Sequence, residues 1–270
     1  MRLLKVISYN VENGIYLDNI LNNIRNFADQ GVQVMCLQEV REIPGRQAVG
    51  KRIEKTLGPD WKCHFLQDTE DPVNGLGLAI CWNRKVIELM SIKDTLLPKL
   101  NYNWVEKLVN PGGKPSQRGV ITALFKSGQK EIRISSLHLD WQGGAESRFR
   151  QIAGLKDRLG SFKGKEIICG DFNTGENKRR LGKSYTRLNQ AIGMEFTEAF
   201  EDGVVTLING VTVDPTYPYL CVLQKTLKFL HIKYCQRMDY IWYKGMQVKK
   251  SEILNLSGSD HLPLLAEFEI

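Results

Sequence analysis

No apolar run in the 270-residue sequence approaches the ~20 residues that a membrane-spanning helix needs, so no segment reads as transmembrane. The N-terminus, MRLLKVISYN, passes from Met1 straight into a strand-like segment, without the apolar stretch and cleavage site of a secretory leader. Paired-cysteine spacing is missing as well. Cys36, Cys63, Cys81, Cys169, Cys221 and Cys235 are scattered without a CxxC, and three of them lie in the apolar runs VMCLQ, LAICW and IICGD. That pattern argues against a thiolate zinc site and predicts buried free thiols in a reducing compartment, hence a cytoplasmic protein. Low-complexity tracts, heptad seams and linker-like shifts of composition are absent too, which predicts a single domain over residues 1–270.

What is present is enough to build a large core, because hydrophobic residues make up 42% of the chain. The formal charge of +7 and a pI near 9.0 favour anionic partners, either nucleic acid or an acidic membrane surface. LLKVISYN reads as a strand, and Leu17, Ile20, Leu21, Ile24, Phe27 and Ala28 then recur at helical spacing until Gly31. VQVMCLQEV is a second strand, apolar on both faces. A short helix is predicted over 46–57, with strands at 61–66, 76–82 and 86–92. From Asp94 to Gln117 the chain turns loop-like, rich in Pro, Gly and Asn. GVITALF and EIRISSLHL pair across the turn KSGQK, and a helix through Ile152, Leu155 and Leu159 leads into the buried strand KEIICGDFN. Strands at RMDYIWY, VKKSEILNL and LPLLAEF complete the pass. A faint internal echo accompanies it, strand–helix–strand with polar ends at SYN and LQE and again at SLHL and GDFN.

The polar residues at the ends of these apolar strands share a chemistry. They are Asn10, Glu39, His138, Asp171 with Asn173, Asp239, and Asp260 with His261. In packed α/β sheets, ligands bind where strand ends open into a crevice. Glu39, Asn10 and Asp260 are hard oxygen donors without a thiolate, a set that suits Mg²⁺ or Mn²⁺ rather than zinc. Two histidines and a spare carboxylate are what proton transfer near neutral pH requires. Asp239 is placed to orient His261, and with no Gly-x-Ser-x-Gly nucleophile the attacker is water. Each residue also has an ordinary reading as a cap, turn or surface ion pair. SGSD before LPLL is by itself a common side-chain-stabilised turn.

In order, SYN, LQEV, SLHL, GDFN, RMDYIW and SDHLPL resemble the motif set of the endonuclease/exonuclease/phosphatase superfamily, over residues 8–263. The resemblance implies a four-layered α/β sandwich, two mixed β-sheets packed face to face and flanked by helices, with the active site at one edge. It implies that Glu39 binds metal, aided by Asn10 and Asp260, and that His261, held by Asp239, activates water for in-line attack on phosphorus. Asn173 would stabilise charge on the phosphate oxygens, and His138 and Asp171 would bind phosphate and help protonate the leaving oxygen. Arg118, in SQRGV, stands where members often present a basic side chain to substrate.

Substrate choice rests on the surrounding loops. NKRRLGKSYTR (177–187) and the 94–117 loop, with Lys99, Tyr102, Trp104, Lys107 and Lys114, suit a phosphate backbone and stacked bases. YLCVLQKTLKFLHIKYC (219–235) mixes apolar and basic residues as membrane-surface elements do. A His at 138, and DPTYPYL in place of a YTWW-like segment, turn the resemblance away from abasic-site endonucleases toward deoxyribonuclease-like and sphingomyelinase-like members. The expectation is therefore a monomeric, Mg²⁺- or Mn²⁺-dependent phosphodiesterase acting on nucleic acid. The alternatives are a phospholipid or inositol-phosphate esterase and, from another class, a catalytically silent binding module.

Overall fold

The structure is a computed structural model that describes residues 2–41, 48–67, 77–99, 117–140, 145–176, 183–200, 204–208 and 235–270. Six strands form the first sheet: β1 (Leu3–Asn10), β2 (Val34–Gln38), β3 (Trp61–Gln67), β4 (Gly77–Asn83), β12 (Gln247–Ile253) and β13 (Leu264–Glu269). Their order is β12-β13-β1-β2-β4-β3. The second sheet holds β5 (Glu88–Leu96), β6 (Gly119–Ser127), β7 (Lys130–His138), β8 (Lys165–Glu176), β10 (Leu207–Ile208) and β11 (Cys235–Lys244), in the order β10-β11-β8-β7-β6-β5. The short β9 (Thr197–Glu198) pairs with β11. Helices α1 (Leu17–Asp29) and α2 (Val49–Leu57) follow β1 and β2; α3 (Ala145–Leu159) and α4 (Lys183–Ile192) follow β7 and β8.

Side-chain alternation explains the layering, since successive residues of a strand point to opposite faces. From the first sheet, Leu4, Val6, Val34, Cys36, Ile80 and Trp82 face Ile121, Phe125, Ile132, Ile134, Ile167 and Ile241 of the second. The opposite parity of the first sheet, Ile7, Tyr9, Met35 and Leu37, receives the α1 stripe Leu17, Ile20, Ile24 and Phe27. On the far side Leu137, Ile168, Tyr240 and Trp242 receive Ile152 and Leu155 of α3 and Leu188 and Ile192 of α4. The result is helix, sheet, sheet, helix. Each fully buried aliphatic or aromatic side chain contributes about 1.5–3 kcal/mol relative to exposure.

The internal echo is realised in this architecture. β1–α1–β2 and β7–α3–β8 each close a parallel pair, one in each sheet, and every other described pairing is antiparallel.

Some expectations change. Asp94, Thr95 and Leu96 continue β5 instead of opening a loop, because they pair with Ile121, Val120 and Gly119 and bury Thr95. Cys63 and Cys81 form a disulfide, against the expectation of free thiols throughout. Eighteen residues separate them in sequence, but the β3–β4 register sets them directly opposite, Cα atoms 4.1 Å apart, a proximity that spacing alone does not reveal. Cys36 and Cys169 are free, buried and in contact between the sheets. With one pair joined, the cysteine pattern no longer indicates a reducing compartment. No described helix is long and apolar enough to cross a membrane. Residues 177–182 of the basic stretch, 100–116 of the long loop, and 219–234 of the apolar-basic segment lie outside the described residues.

Candidate active site

The alternation that fills the inter-sheet core also places the polar residues. Asn10 continues the parity of Leu4 and Val6, His138 that of Ile132 and Ile134, Asp171 that of Ile167 and Cys169, and Asp239 that of Ile241. All four project into the layer between the sheets at one end. Gly170 lets β8 close onto β7 just before Asp171: its φ is +142°, and a Cβ there would collide with the Leu137 carbonyl.

Among the described residues only Glu12, Asn13, Glu39 and Asn173 are non-glycine residues at positive φ, and all four belong to this end of the sandwich. Left-handed backbone at such residues costs on the order of 1–3 kcal/mol each, a cost the packed core offsets. The strain puts side chains to use. Asn10 Nδ2 donates to Glu39 Oε1 at 3.1 Å and to Asp171 Oδ2 at 3.0 Å, while Asn13 Nδ2 donates to the other Glu39 oxygen at 3.0 Å. The Asn10 amide oxygen accepts the Glu12 backbone N–H at 3.0 Å, which fixes the orientation of the amide. Asn173 gives its backbone N–H to Asp171 Oδ1 and its amide to the Leu139 carbonyl, tying β8 to the segment after β7.

The two histidines sit on either side of Asp171. His138 Nε2 lies 3.5 Å from Asp171 Oδ2 and 4.0 Å from Glu39 Oε1. His261 Nδ1 is 2.7 Å from Asp239 Oδ2, which leaves Nε2 directed at Asp171, 3.8 Å away, and at Asp260, 4.0 Å away. Arg118, 2% exposed at the start of β6, bears electrostatically on both Glu39 and His138. The strand-end residues singled out in the sequence, together with Arg118, are thus brought to one place.

The electrostatics are those of crowded negative charge. Burial, with the charges of Asp239 and Glu39, raises Asp171 to about 7. Burial and then Asp260 raise Glu12 to about 8, and the same two causes raise Glu39. Burial also raises Asp260, with Asp239 adding to it. Burial works against the His261 imidazolium, but Asp239, by charge and hydrogen bond, with Asp171 and Asp260 behind it, holds the pKa well above the usual value. His138 goes the other way: burial, then the charges of Arg118 and His261, keep it neutral. A site with five carboxylates (Glu12, Glu39, Asp171, Asp239 and Asp260) beside one arginine and two histidines fits a hard divalent cation. Glu39, His138 and Asp171 each offer a ligand atom within 4.8 Å of the others, as do Asp171, Asp239 and His261.

Several contributors escaped the sequence reading. The Glu12 carboxylate accepts the Asp260 backbone N–H at 2.9 Å, across 248 residues of chain. Ser259 Oγ donates to the Asn10 carbonyl at 2.7 Å and accepts the His261 N–H at 3.1 Å. Thr206 Oγ1 accepts the backbone N–H groups of Met238 and Asp239 where β11 shifts register, and its carbonyl accepts Leu262 N–H at 2.7 Å. Leu207 bridges to His261, so one short segment sets Asp239 against His261. The turn signals Asn13-Gly14 and Ser259 were visible in the sequence, but their long-range partners were not.

Comparison with known proteins agrees with this fold. The model of the Endonuclease/Exonuclease/phosphatase family matches residues 7–261. A UPF0294 protein of Vibrio cholerae serotype O1 is 26% identical over 142 residues, 52% of this chain and 41% of the relative. A UPF0294 protein of Erwinia tasmaniensis is 22% identical over 156 residues, 57% and 48%. The chain spans under half the length of these curated relatives. Among solved structures, an endonuclease/exonuclease/phosphatase from Bacteroides vulgatus superposes with a TM-score of 0.71 at 16% identity, covering 100% of both chains. D. rerio TDP2, complexed with single-strand DNA product, gives 0.69 at 14%, again covering 100% of both. The human Nocturnin catalytic domain, with bound sulfate, gives 0.65 at 17%, covering 99% of this chain and 94% of that one. These likenesses concern the fold. With its two-sheet sandwich and a family match running from one edge of the constellation to the other, the chain belongs to the endonuclease/exonuclease/phosphatase family, whose members hydrolyse phosphoesters.

Proposed function

We propose that this protein is a divalent-metal-dependent phosphodiesterase that cleaves nucleic acid by attack of an activated water on phosphorus. The observation that carries the reading is the His261–Asp239 pair, 2.7 Å apart, with its free Nε2 aimed into the carboxylate cluster around Glu39. Glu39 and Asp260, with Asn10, Asp171 and His138 around them, would hold Mg²⁺ or Mn²⁺; bound there, the ion supplies positive charge to the phosphate oxygens. His261, protonated while Asp171 and Asp260 stand unneutralised, would be free to take the proton of the attacking water at Nε2 once cation charge offsets those carboxylates, with Asp239 holding the ring by Nδ1; Asp171, between the two imidazoles, would pass a proton toward the leaving oxygen. Neutral His138 and cationic Arg118 supply hydrogen bonds and charge to the phosphate, with Asn173 beside them. The chain's charge of +7 favours a polyanionic substrate.

The test is turnover of plasmid DNA, RNA, sphingomyelin and inositol phosphates with Mg²⁺ or Mn²⁺ and with EDTA. Metal-dependent cleavage of DNA or RNA is expected. Cleavage confined to sphingomyelin or inositol phosphates would replace the substrate class. Inactivity toward every ester, with tight binding to nucleic acid or protein, would point to a binding module instead.

A further inference from the structure

The strands that end at the carboxylate cluster begin at a surface of opposite character. Where β6 turns into β7, and beside the start of β8 and the turn after β11, lies a concavity of about 780 Å³. Lys126, Lys130, Lys163 and Lys165 line it, with Glu131 the one carboxylate of its wall and no apolar side chain among its lining residues. Lys130 and His138 are the first and last residues of β7, so the concavity stands about 27 Å from the catalytic groups at about 3.4 Å per residue.

These lysines differ from their neighbours. Lys244 pairs with Glu166, Lys249 with Glu269 and Lys250 with Glu252, whereas none of the four has an ion pair with a described residue. Lys165 is also held in place, its ammonium donating to the Gly245 carbonyl at 2.8 Å. Partial burial, then the charge of Lys130, lower its pKa, so the two ammonium groups already feel each other. A wall of four ammonium groups and one carboxylate carries an excess of three positive charges, offset in part by Glu269 of β13, which bears on Lys130 and Lys165. Two linked phosphates, at about −1.5 to −2 each, match that excess. The volume is that of a small-ligand site, but nothing in the lining would grip a base, a sugar or an acyl chain. Recognition is therefore confined to the anionic groups.

We propose that this concavity is a second anion site, separate from the catalytic centre, and that it takes a pyrophosphate-class ligand. The probe is inorganic pyrophosphate, added to the metal-free full chain at low salt and followed by the backbone amide resonances of Gly164 and Gly245, with Gly170 reporting on the catalytic end. Saturable shifts at Gly164 and Gly245 are expected, weakening as NaCl rises. In the double variant Lys130→Glu/Lys163→Glu the affinity read at these glycines should fall at least about tenfold, the weight of one or two lost charge-assisted contacts. The Gly170 response and turnover of a small phosphodiester should stay unchanged. The double variant Lys130→Gln/Lys163→Gln, which adds no negative charge, should give a smaller loss of the same sign. Shifts confined to Gly170 would overturn the proposal, as would shifts at Gly164 and Gly245 that survive charge reversal. A single-stranded oligonucleotide or phosphatidylserine vesicles moving these resonances where pyrophosphate does not would overturn it too.

Discussion

The two ends of β7 carry charge in opposite ways. At the His138 end, carboxylates are buried against one another, their pKa values are raised, and the backbone is strained; at the Lys130 end, ammonium groups are spread over an open, unstrained surface. Burial makes the difference. In water neighbouring lysines repel weakly, whereas carboxylates under a packed core repel strongly and so call for a specific counter-charge. That difference is what underlies assigning the proposed chemistry to the first end and the proposed reversible association to the second.

The largest way to break this contrast is to remove the working groups. Glu39→Ala and His261→Ala are expected to lower turnover by on the order of 10²–10⁴-fold while far-UV circular dichroism shows a folded protein. Retained turnover in either variant would separate the cluster from the chemistry. A variant further out tests the scaffold: Thr206→Ala leaves the Met238 and Asp239 N–H groups without the hydroxyl they donate to, and about 1–3 kcal/mol of stability should disappear in denaturant titrations. A stability equal to the parent's would mean that other groups hold β11 in register.

The crowding itself has a pH signature. Asp171 and Glu12 take up protons more readily folded than unfolded, with folded values of about 7 and 8 against 3.8 and 4.5. Their contribution to stability is therefore fully present below their unfolded values of 3.8 and 4.5 and is lost as pH rises from there through about 7 to 8. The raised pKa of His261 acts in the same direction, and the lowered pKa of His138 opposes it on the acid side of its usual value. Metal-free protein should melt lower at pH 8 than at pH 5.5, and Mg²⁺ should narrow the gap; a melting temperature that climbs with pH would contradict the crowding. Smallest of all is the effect of the distal lysines on the fold: Lys130→Glu/Lys163→Glu should change stability by no more than about 0.5 kcal/mol, as surface substitutions do.

What the sequence disclosed follows the same physics. Strand parity and apolar runs are local, so the strands and the strand-end residues Asn10, His138, Asp171 and Asp239 could be read in order along the chain, whereas the two-sheet sandwich followed only from the resemblance of those motifs to a known family. The pair Asp260-His261 shows where reading stops. Its neighbour Ser259 does make the ordinary turn that SGSD suggests, capping His261 N–H, yet the same hydroxyl also reaches Asn10, 249 residues away. Glu12 and Thr206 act through contacts of that kind and leave no periodic trace. The Cys63–Cys81 bond depended on β3–β4 register, which scattered cysteine spacing does not encode.

Substoichiometric Mn²⁺, added while the imidazole C–H resonances are followed by NMR, tests most directly whether the convergent carboxylates and histidines form one cation site. His138 and His261 are expected to broaden first while His64, paired with Asp94 at 2.9 Å elsewhere on the sheets, stays sharp. Broadening of His64 ahead of the other two, or none that singles out His138 and His261, would contradict it.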